Sequence, residues 1–583
     1  MKWLESRYSV LWQEFKNKPF RIEEAEKVLK EKFKEGKGQV NVVLSEFRKE
    51  KWLDAELDPA DARKRIYKLI ENKELLRDPS LLNSGPLTRA DLEGLLKRAA
   101  DLIRTRVDYS FILLLLFYKR ISDKWHKEFE EAYKEALDDG LDEKEAEEEA
   151  QKSMYHDFDI PKKFLWENIR KEPVKLSENF SRAMKVLGEN NPELRDAFEN
   201  IDFIQFANNP ENAEILRQLV ELFSAKPLYD VSPDILGDAY EWILKYFAPQ
   251  KAKEGEVYTP REVIKLIVEI LNPKPEESVY DPACGSAGML ICSYQHIEEK
   301  FSRDKADKLF LSGQEANHKT LALAKMNLYI HDIRNAQLVL GDTLLYPKFK
   351  KGNGLKKFNV VIANPPWNQD GYEEEVLKKG EFVSDRFTYG FISRQSADWA
   401  WIQHMLFSAD GKNGRIGVVI DNGALFRGGK EQAIRAGVLN EDLIESVLLL
   451  PEKLFYNTGA PGGIIILNKK KPKERKEKIL FINSSNDYEQ HPDVRKLNRL
   501  GQQHIKKIVD AYNEFKEIEG YSRAVSLDEI KGNDYNLNVT LYVFPEEEVE
   551  QINIEKEWSE LKSLESEIQA TESKIEGYLK EIK

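Results

Sequence analysis

From about residue 256 the chain alternates short apolar runs with helical stretches, and this pattern constrains its fold more than any other feature. The runs are Ser278–Asp281, Leu309–Ser312, Gln337–Leu340, Asn359–Ala363, Arg415–Ile420, Ile444–Leu450 and Gly463–Leu467. Parallel neighbours need crossover connections, usually helical, so the alternation predicts an α/β fold around a mostly parallel sheet over residues 251–545. Ligands of such a sheet bind at the carboxyl ends of its strands.

The rest of the chain reads differently. The 583 residues carry 89 Lys and Arg against 102 Asp and Glu, a formal charge of −13. That balance excludes a uniformly basic nucleic-acid coat but not a local basic patch. Residues 1–70 run against it, with 17 basic and 13 acidic residues. Within residues 1–80, three helical patterns (Ser9–Phe15, Ile22–Lys32 and Val40–Glu50) precede a hairpin. The hairpin starts at Lys51-Trp52-Leu53, turns at Asp58-Pro59 and returns through Arg65–Leu69. This order resembles a winged helix-turn-helix domain, whose third helix enters the major groove. Arg48, Lys49, Lys51, Arg63, Lys64 and Arg65 would then meet phosphates. The alternative is a protein-docking adapter with solvated lysines.

Residues 81–250 read as a helical domain. Ala99–Leu102 and Phe111–Tyr118 have helical spacing of apolar residues, and Ile235–Trp242 belongs to an amphipathic helix ending near Ala248-Pro249. Lys127–Glu149 holds 12 acids against three lysines and reads as a solvated helical excursion. In the tail, 546–583, Ile554, Leu561, Ile568, Ile575 and Ile582 recur every seven residues, with Glu557, Leu564, Thr571 and Tyr578 at the second seam position. Such a coiled-coil-like stripe calls for cover, from the chain's own body or from a partner. Two cysteines, Cys284 and Cys292, make neither a disulfide framework nor a cysteine-rich zinc site, and they fit a cytoplasmic location. No apolar run reaches the roughly 20 residues of a membrane span.

Four motifs follow four of the strands. Asp281-Pro282-Ala283-Cys284-Gly285-Ser286-Ala287-Gly288 opens a helix, its small residues admitting a ligand close to the backbone. It is not a phosphate-binding P-loop. The nearest to one, Gly423 to Lys430, has Gly429 at the lysine position and no Ser or Thr after Lys430. The chain is therefore not expected to hydrolyse ATP or cut DNA by itself. Glu315 stands where an acid accepts ribose hydroxyls in dinucleotide folds. Asp342, after the third strand, can hold the exocyclic amine of a bound adenine. Asn364-Pro365-Pro366-Trp367 is the most specific signal. Its two prolines make a rigid bend. The Asn364 amide oxygen and the Pro365 carbonyl can then accept both hydrogens of one planar NH₂ group. Trp367 offers a ring on which a base can stack, worth roughly 1–3 kcal/mol.

In this order, these motifs resemble an amino-methyltransferase that uses S-adenosylmethionine, of the gamma class of DNA N6-adenine methyltransferases. Five further segments narrow the resemblance to the modification subunit of type I restriction-modification systems. They are Tyr118–Lys124, Asp234–Glu241, Val257–Arg261, Asn327–His331 and Leu450–Phe455. The resemblance covers about residues 85–580; the first 80 lie outside the usual pattern, and Trp367 replaces the more usual Phe or Tyr. It implies a Rossmann-like methyltransferase fold and no metal. Asn364, Pro365, Pro366 and Trp367 would be the catalytic residues. Glu256, Val257, Tyr258, Thr259, Pro260 and Arg261 would lie over the cofactor, and Asp281, Gly285, Ser286, Ala287, Gly288, Glu315 and Asp342 would hold it. The implied partners are duplex DNA, a specificity subunit flanked by two modification subunits, and a restriction subunit.

The implied reaction suits these residues. An adenine amine is a poor nucleophile because its lone pair is delocalised into the ring. Two acceptors on its protons favour a pyramidal nitrogen. An amine inside a duplex is unreachable, so the base would be flipped out. The rival readings are a methyltransferase for another planar amine (cytosine N4, guanine N2 or protein glutamine) and a catalytically inactive DNA-binding scaffold.

Overall fold

A computed structural model of the protein describes residues 2–16, 18–33, 37–49, 51–58, 61–70, 88–103, 109–194, 202–229, 231–251, 259–455, 458–492, 494–544 and 554–581. They divide into two units, 1–246 with 329–332, and 247–328 with 333–583. None of the described helices is long and apolar enough to cross a membrane.

The first unit begins with the expected three helices, at Lys2–Phe15, Ile22–Phe33 and Lys37–Lys49. The first starts earlier than expected because Leu4, Tyr8 and Leu11 already hold the buried register of one helix face. Leu53–Asp58 and Asp61–Leu69 form the antiparallel hairpin, and Phe20–Arg21 adds a third strand beside it. Together they enclose one apolar cluster around Tyr8, Phe20, Leu29, Phe47 and Trp52. Arg48, Lys49, Lys51, Lys64 and Arg65 are exposed, and Pro59 lies outside the described residues.

Beyond it, the segment Tyr118–Lys124 has a structural task. It lies in the helix Ser110–Asp138, where Lys119 and Asp123 form a buried ion pair. The Asp123 carboxylate also accepts the Leu228 N–H at 2.7 Å, and Arg120 donates to the Leu228 carbonyl. Ser122 accepts the Trp166 N–H at 2.7 Å, and the Tyr118 hydroxyl donates to the Phe164 carbonyl at 2.6 Å. One turn and a half of helix thus ties down two distant loops. The acidic stretch forms the end of this helix and the helix Glu143–Ala150, which buries Ala146 and Ala150 and pairs Glu147 with Lys162 at 2.7 Å. The helix expected to end near Pro249 runs over Pro233–Lys251. A Cβ on its Gly237 would lie 2.1 Å from Nε2 of His331. Glycine is required there by close approach, and two segments singled out by resemblance meet at that contact.

The second unit is built on a nine-stranded sheet. Its order is Ser522–Ser526, Lys478–Asn483, Ile444–Leu449, Gly462–Asn468, Arg415–Asp421, Val360–Ala363, Ser278–Asp281, Phe310–Glu315 and Ala336–Leu340. Five of the eight neighbouring pairs are parallel and three antiparallel. The expectation of a mostly parallel sheet therefore holds for the half from Arg415–Asp421 to Ala336–Leu340 and is corrected for the other half, which is mixed. The helix Lys430–Asn440 carries the chain past one position in the sheet, and Gly462–Asn468 returns to fill it antiparallel to both neighbours. Lys478–Asn483 and Ser522–Ser526 were not read from the sequence. The first lies beside a dense run of Lys and Arg, and the second buries only Ser522 and Val525.

The sheet order reverses beside Ser278–Asp281. The chain moves outward through Phe310–Glu315 to Ala336–Leu340, then returns to the other side as Val360–Ala363. Open α/β sheets bind ligands at such a crossover. The tail helix Ile554–Glu581 exposes Leu561, Leu564, Ile568, Ile575 and Tyr578, so among the described residues nothing covers these stripe positions. Ile582 lies outside the described residues.

Candidate active site

Parallel register puts the four sequence motifs at one edge of the sheet. Asp281 pairs with Gly313, Glu315 with Leu340, and Val361 with Tyr280, so the loops leave neighbouring strand ends. The loop after Asp281 is tightly wound. Gly285 has φ +51°, and Ala287, at φ +67°, starts the helix Gly288–Lys300 from a left-handed conformation. A non-glycine residue held there costs about 1–3 kcal/mol, and such strain gathers at functional sites. The space where a Gly285 Cβ would stand is open.

Glu315 holds this loop directly. Its Oε2 accepts the Gly285 N–H at 3.0 Å, and its Oε1 accepts the Asn317 N–H at 2.8 Å. Asn327 donates to the Ser286 carbonyl at 2.9 Å. Asp281 has a supporting place: it is buried, and its Oδ1 accepts the Ala283 N–H at 3.0 Å. Burial pushes the Asp281 carboxyl up to about 8; the Ala283 N–H opposes this and the Glu315 charge adds to it. Cys284 and Cys292 are buried and not joined in a disulfide, and burial, with the Asp281 and Glu315 charges, pushes the Cys284 thiol up. That is the setting of a packed thiol, not of a nucleophile. Among the described residues, no group of three or more His, Cys, Asp or Glu side chains is placed to hold a metal ion.

The Asn364–Trp367 bend is bound on both sides. Asn364 Nδ2 donates to Thr259 Oγ1 at 2.7 Å, and Asn364 Oδ1 accepts the Trp367 indole N–H at 2.8 Å. The amide orientation is therefore defined, with its oxygen retaining a second lone pair. The half-buried Trp367 ring meets Phe455 edge-on, centroids 4.7 Å apart. A Cβ on Gly462 would lie 2.7 Å from the Phe455 ring and 3.0 Å from that of Trp367. Of the six residues from 256 to 261, Glu256, Val257 and Tyr258 lie outside the described residues. Thr259 meets Asn364, Pro260 is buried ahead of the helix Arg261–Leu271, and Arg261 donates to Gln295 at 2.9 Å.

Several residues here escaped sequence reasoning. Asn368 and Gln369, following Trp367, are pinned by Arg427 and by the Trp401 indole N–H at 3.1 Å. Arg427 also meets the buried Asp398 at 3.0 Å and Asp421 at 2.6 Å. Tyr372 donates to Asp342 Oδ2 at 2.8 Å. For Asn368, Gln369 and Tyr372 the sequence signal is position, shortly after the Asn364–Trp367 motif; Asp398, Trp401 and Arg427 stand more than 30 residues beyond it.

With this geometry, comparison with known proteins is decisive. The N-6 DNA Methylase family matches residues 231–551, and the HsdM N-terminal domain matches residues 92–223. The chain is 43% identical to the type I restriction enzyme MjaVII methylase subunit of Methanocaldococcus jannaschii, over 100% of this chain and 97% of that protein. The chain belongs to the type I restriction enzyme methylase subunits. The MjaVIII methylase subunit of the same organism is 44% identical over 99% of this chain and 97% of its own length. A crystal structure of the type I methyltransferase subunit from Streptococcus thermophilus is 26% identical, with a TM-score of 0.67 over 78% of this chain and 100% of that one. This methylase subunit is accordingly a DNA methyltransferase of the N6-adenine type.

Proposed function

We propose that this methylase subunit transfers a methyl group from S-adenosylmethionine to the N6 amine of an adenine flipped out of duplex DNA. The observation that carries the reading is the Asn364 amide, held by Thr259 and Trp367 at the strand end next to the small-residue loop. The residues suit the cofactor. Glu315 would take its ribose hydroxyls, Asp342 its adenine amine, and Ser286, Ala287 and Gly288 its methionine end, beside the open space at Gly285. When bound, the cofactor supplies an activated sulfonium methyl group.

The chain's own residues supply position and polarity. Asn364 Oδ1 and the Pro365 carbonyl accept the two amine hydrogens, and Trp367 stacks on the base. Flipping costs a few kcal/mol, which stacking of roughly 1–3 kcal/mol and the amine hydrogen bonds offset. The test is incubation with labelled cofactor and duplex DNA, followed by mapping of the methylated base. Label on cytosine N4 or on protein would overturn the reading. Glu315→Ala is expected to weaken S-adenosylmethionine binding about 10- to 150-fold in calorimetry. Unaltered affinity would remove Glu315 from the cofactor site.

Residues 1–80 are read as a winged-helix domain that meets DNA phosphates through Arg48, Lys49, Lys64 and Arg65. The exposed basic residues on the third helix and the hairpin support this. Charge reversal at Arg48 and Lys49 should weaken nonspecific DNA binding and flatten its salt dependence by about one unit of slope per lost contact. An unchanged slope points instead to protein docking.

The target sequence is assigned to a separate specificity subunit, flanked by two copies of this chain and joined by a restriction subunit. The tail helix, with its exposed stripe, is the proposed joint to the specificity subunit. Burying one such apolar side chain is worth about 1.5–3 kcal/mol. Deleting residues 550–583 should abolish co-purification with the specificity subunit and leave cofactor binding intact. Loss of a homodimer alone would indicate self-pairing.

A further inference from the structure

The carboxylate of Asp342 takes two donors, and the backbone that follows it is held by a third group. Its Oδ1 accepts the Leu345 N–H at 3.1 Å, and its Oδ2 accepts the Tyr372 hydroxyl at 2.8 Å. Tyr372 lies eight residues beyond Asn364, so the segment that begins with the Asn364 bend reaches across to Asp342. The third hold is on the backbone. Arg386 is buried, and its guanidinium donates to the carbonyls of Thr343 at 3.1 Å, Leu344 at 2.7 Å and Glu381 at 2.6 Å. Two of these three carbonyls belong to the two residues after Asp342. Thr343 in turn donates its hydroxyl to the Pro282 carbonyl at 2.6 Å, which fastens the segment to the loop Asp281–Gly288.

The Arg386 Nε has no hydrogen-bond partner among the described residues, and one terminal nitrogen also lies 3.4 Å from Nδ1 of His404, so this buried cation is expensive to place. A loop that needed only closure has cheaper devices. What this arrangement secures is the direction of one carboxylate. Each Asp342 oxygen already takes one donor and keeps a lone pair, so the exposed edge accepts and does not donate. An edge of that kind selects an amine and rejects a carbonyl oxygen at the same place. Burial and the neighbouring Asp342 charge push the Tyr372 hydroxyl up, so it remains a donor.

We infer that Tyr372 and Arg386 are positioning residues that hold Asp342 as the reader of the cofactor's exocyclic amine. The inference rests on the cofactor reading given above. It is tested by calorimetry of the full-length chain with S-adenosylhomocysteine and with S-inosylhomocysteine, which carries an oxygen in place of that amine. The wild-type chain is expected to favour the adenine form about tenfold or more. Tyr372→Phe should lower that ratio at least about threefold. Arg386→Lys should lower it further, and Tyr372, only partly buried where Arg386 is wholly so, makes the Phe variant the safer to fold. A packing role would weaken both ligands alike and leave the ratio untouched, and that result would overturn the inference. Equal binding by the wild-type chain would overturn it too, removing Asp342 from the adenine amine while leaving cofactor binding at Glu315 and the Gly285 loop standing. Binding of neither thioether would defeat the cofactor reading itself.

Discussion

Replacing Asn364 by alanine is expected to lower methyl transfer about 10²–10³-fold, the usual effect of removing one preorganised polar group at a reacting centre. The side chain has three connections in this reading. It accepts the target amine, it accepts the Trp367 N–H, and it donates to Thr259. Alanine removes all three, so the base loses an acceptor and its stacking ring loses an anchor. Glu315 and the Gly285 loop are untouched, and cofactor affinity should change little. Single-turnover methylation and calorimetry on the same preparation separate the two. Retention of most of the activity would reject Asn364 as the amine acceptor. Thr259→Val is the graded companion. It removes one orienting bond, and its loss of rate should be smaller.

Asp123→Ala is expected to destabilise the helical part of the first unit by about 3–5 kcal/mol, because it leaves a buried ammonium without its partner. Lys119 and Asp123 are almost wholly buried, at 3% and 6% side-chain exposure. Burial pushes the Asp123 carboxyl up, against the pull of the Lys119 ammonium and the Leu228 N–H. The pair is therefore held by its surroundings at some expense. The double variant Lys119→Met with Asp123→Leu should recover part of the loss, since well-packed apolar replacements of a buried pair are often neutral. Urea unfolding followed by the fluorescence of Trp125 and Trp166 reports on this region. An alanine variant within about 1 kcal/mol of wild type, the range of an ordinary substitution, would show that the pair does not hold the region together.

The sequence by itself determined which segments carry chemistry. Each motif sits directly after an apolar run, and both features are local, so residue order alone placed the small-residue loop, Glu315, Asp342 and the Asn364 bend on strand ends. It determined the three helices and hairpin of the first 70 residues for the same reason, since their periodicities lie within one element each. Tertiary structure decided who meets whom. Nothing local announces that Asn364 bonds Thr259, 105 positions away, or that Tyr372 crosses to Asp342. It also decided that the Tyr118–Lys124 segment is a clamp, and that Gly462–Asn468 enters the sheet antiparallel. An element's existence follows from the spacing of its own apolar residues. Its partner follows from which surfaces fit once the whole chain has collapsed, and that information is spread over the chain.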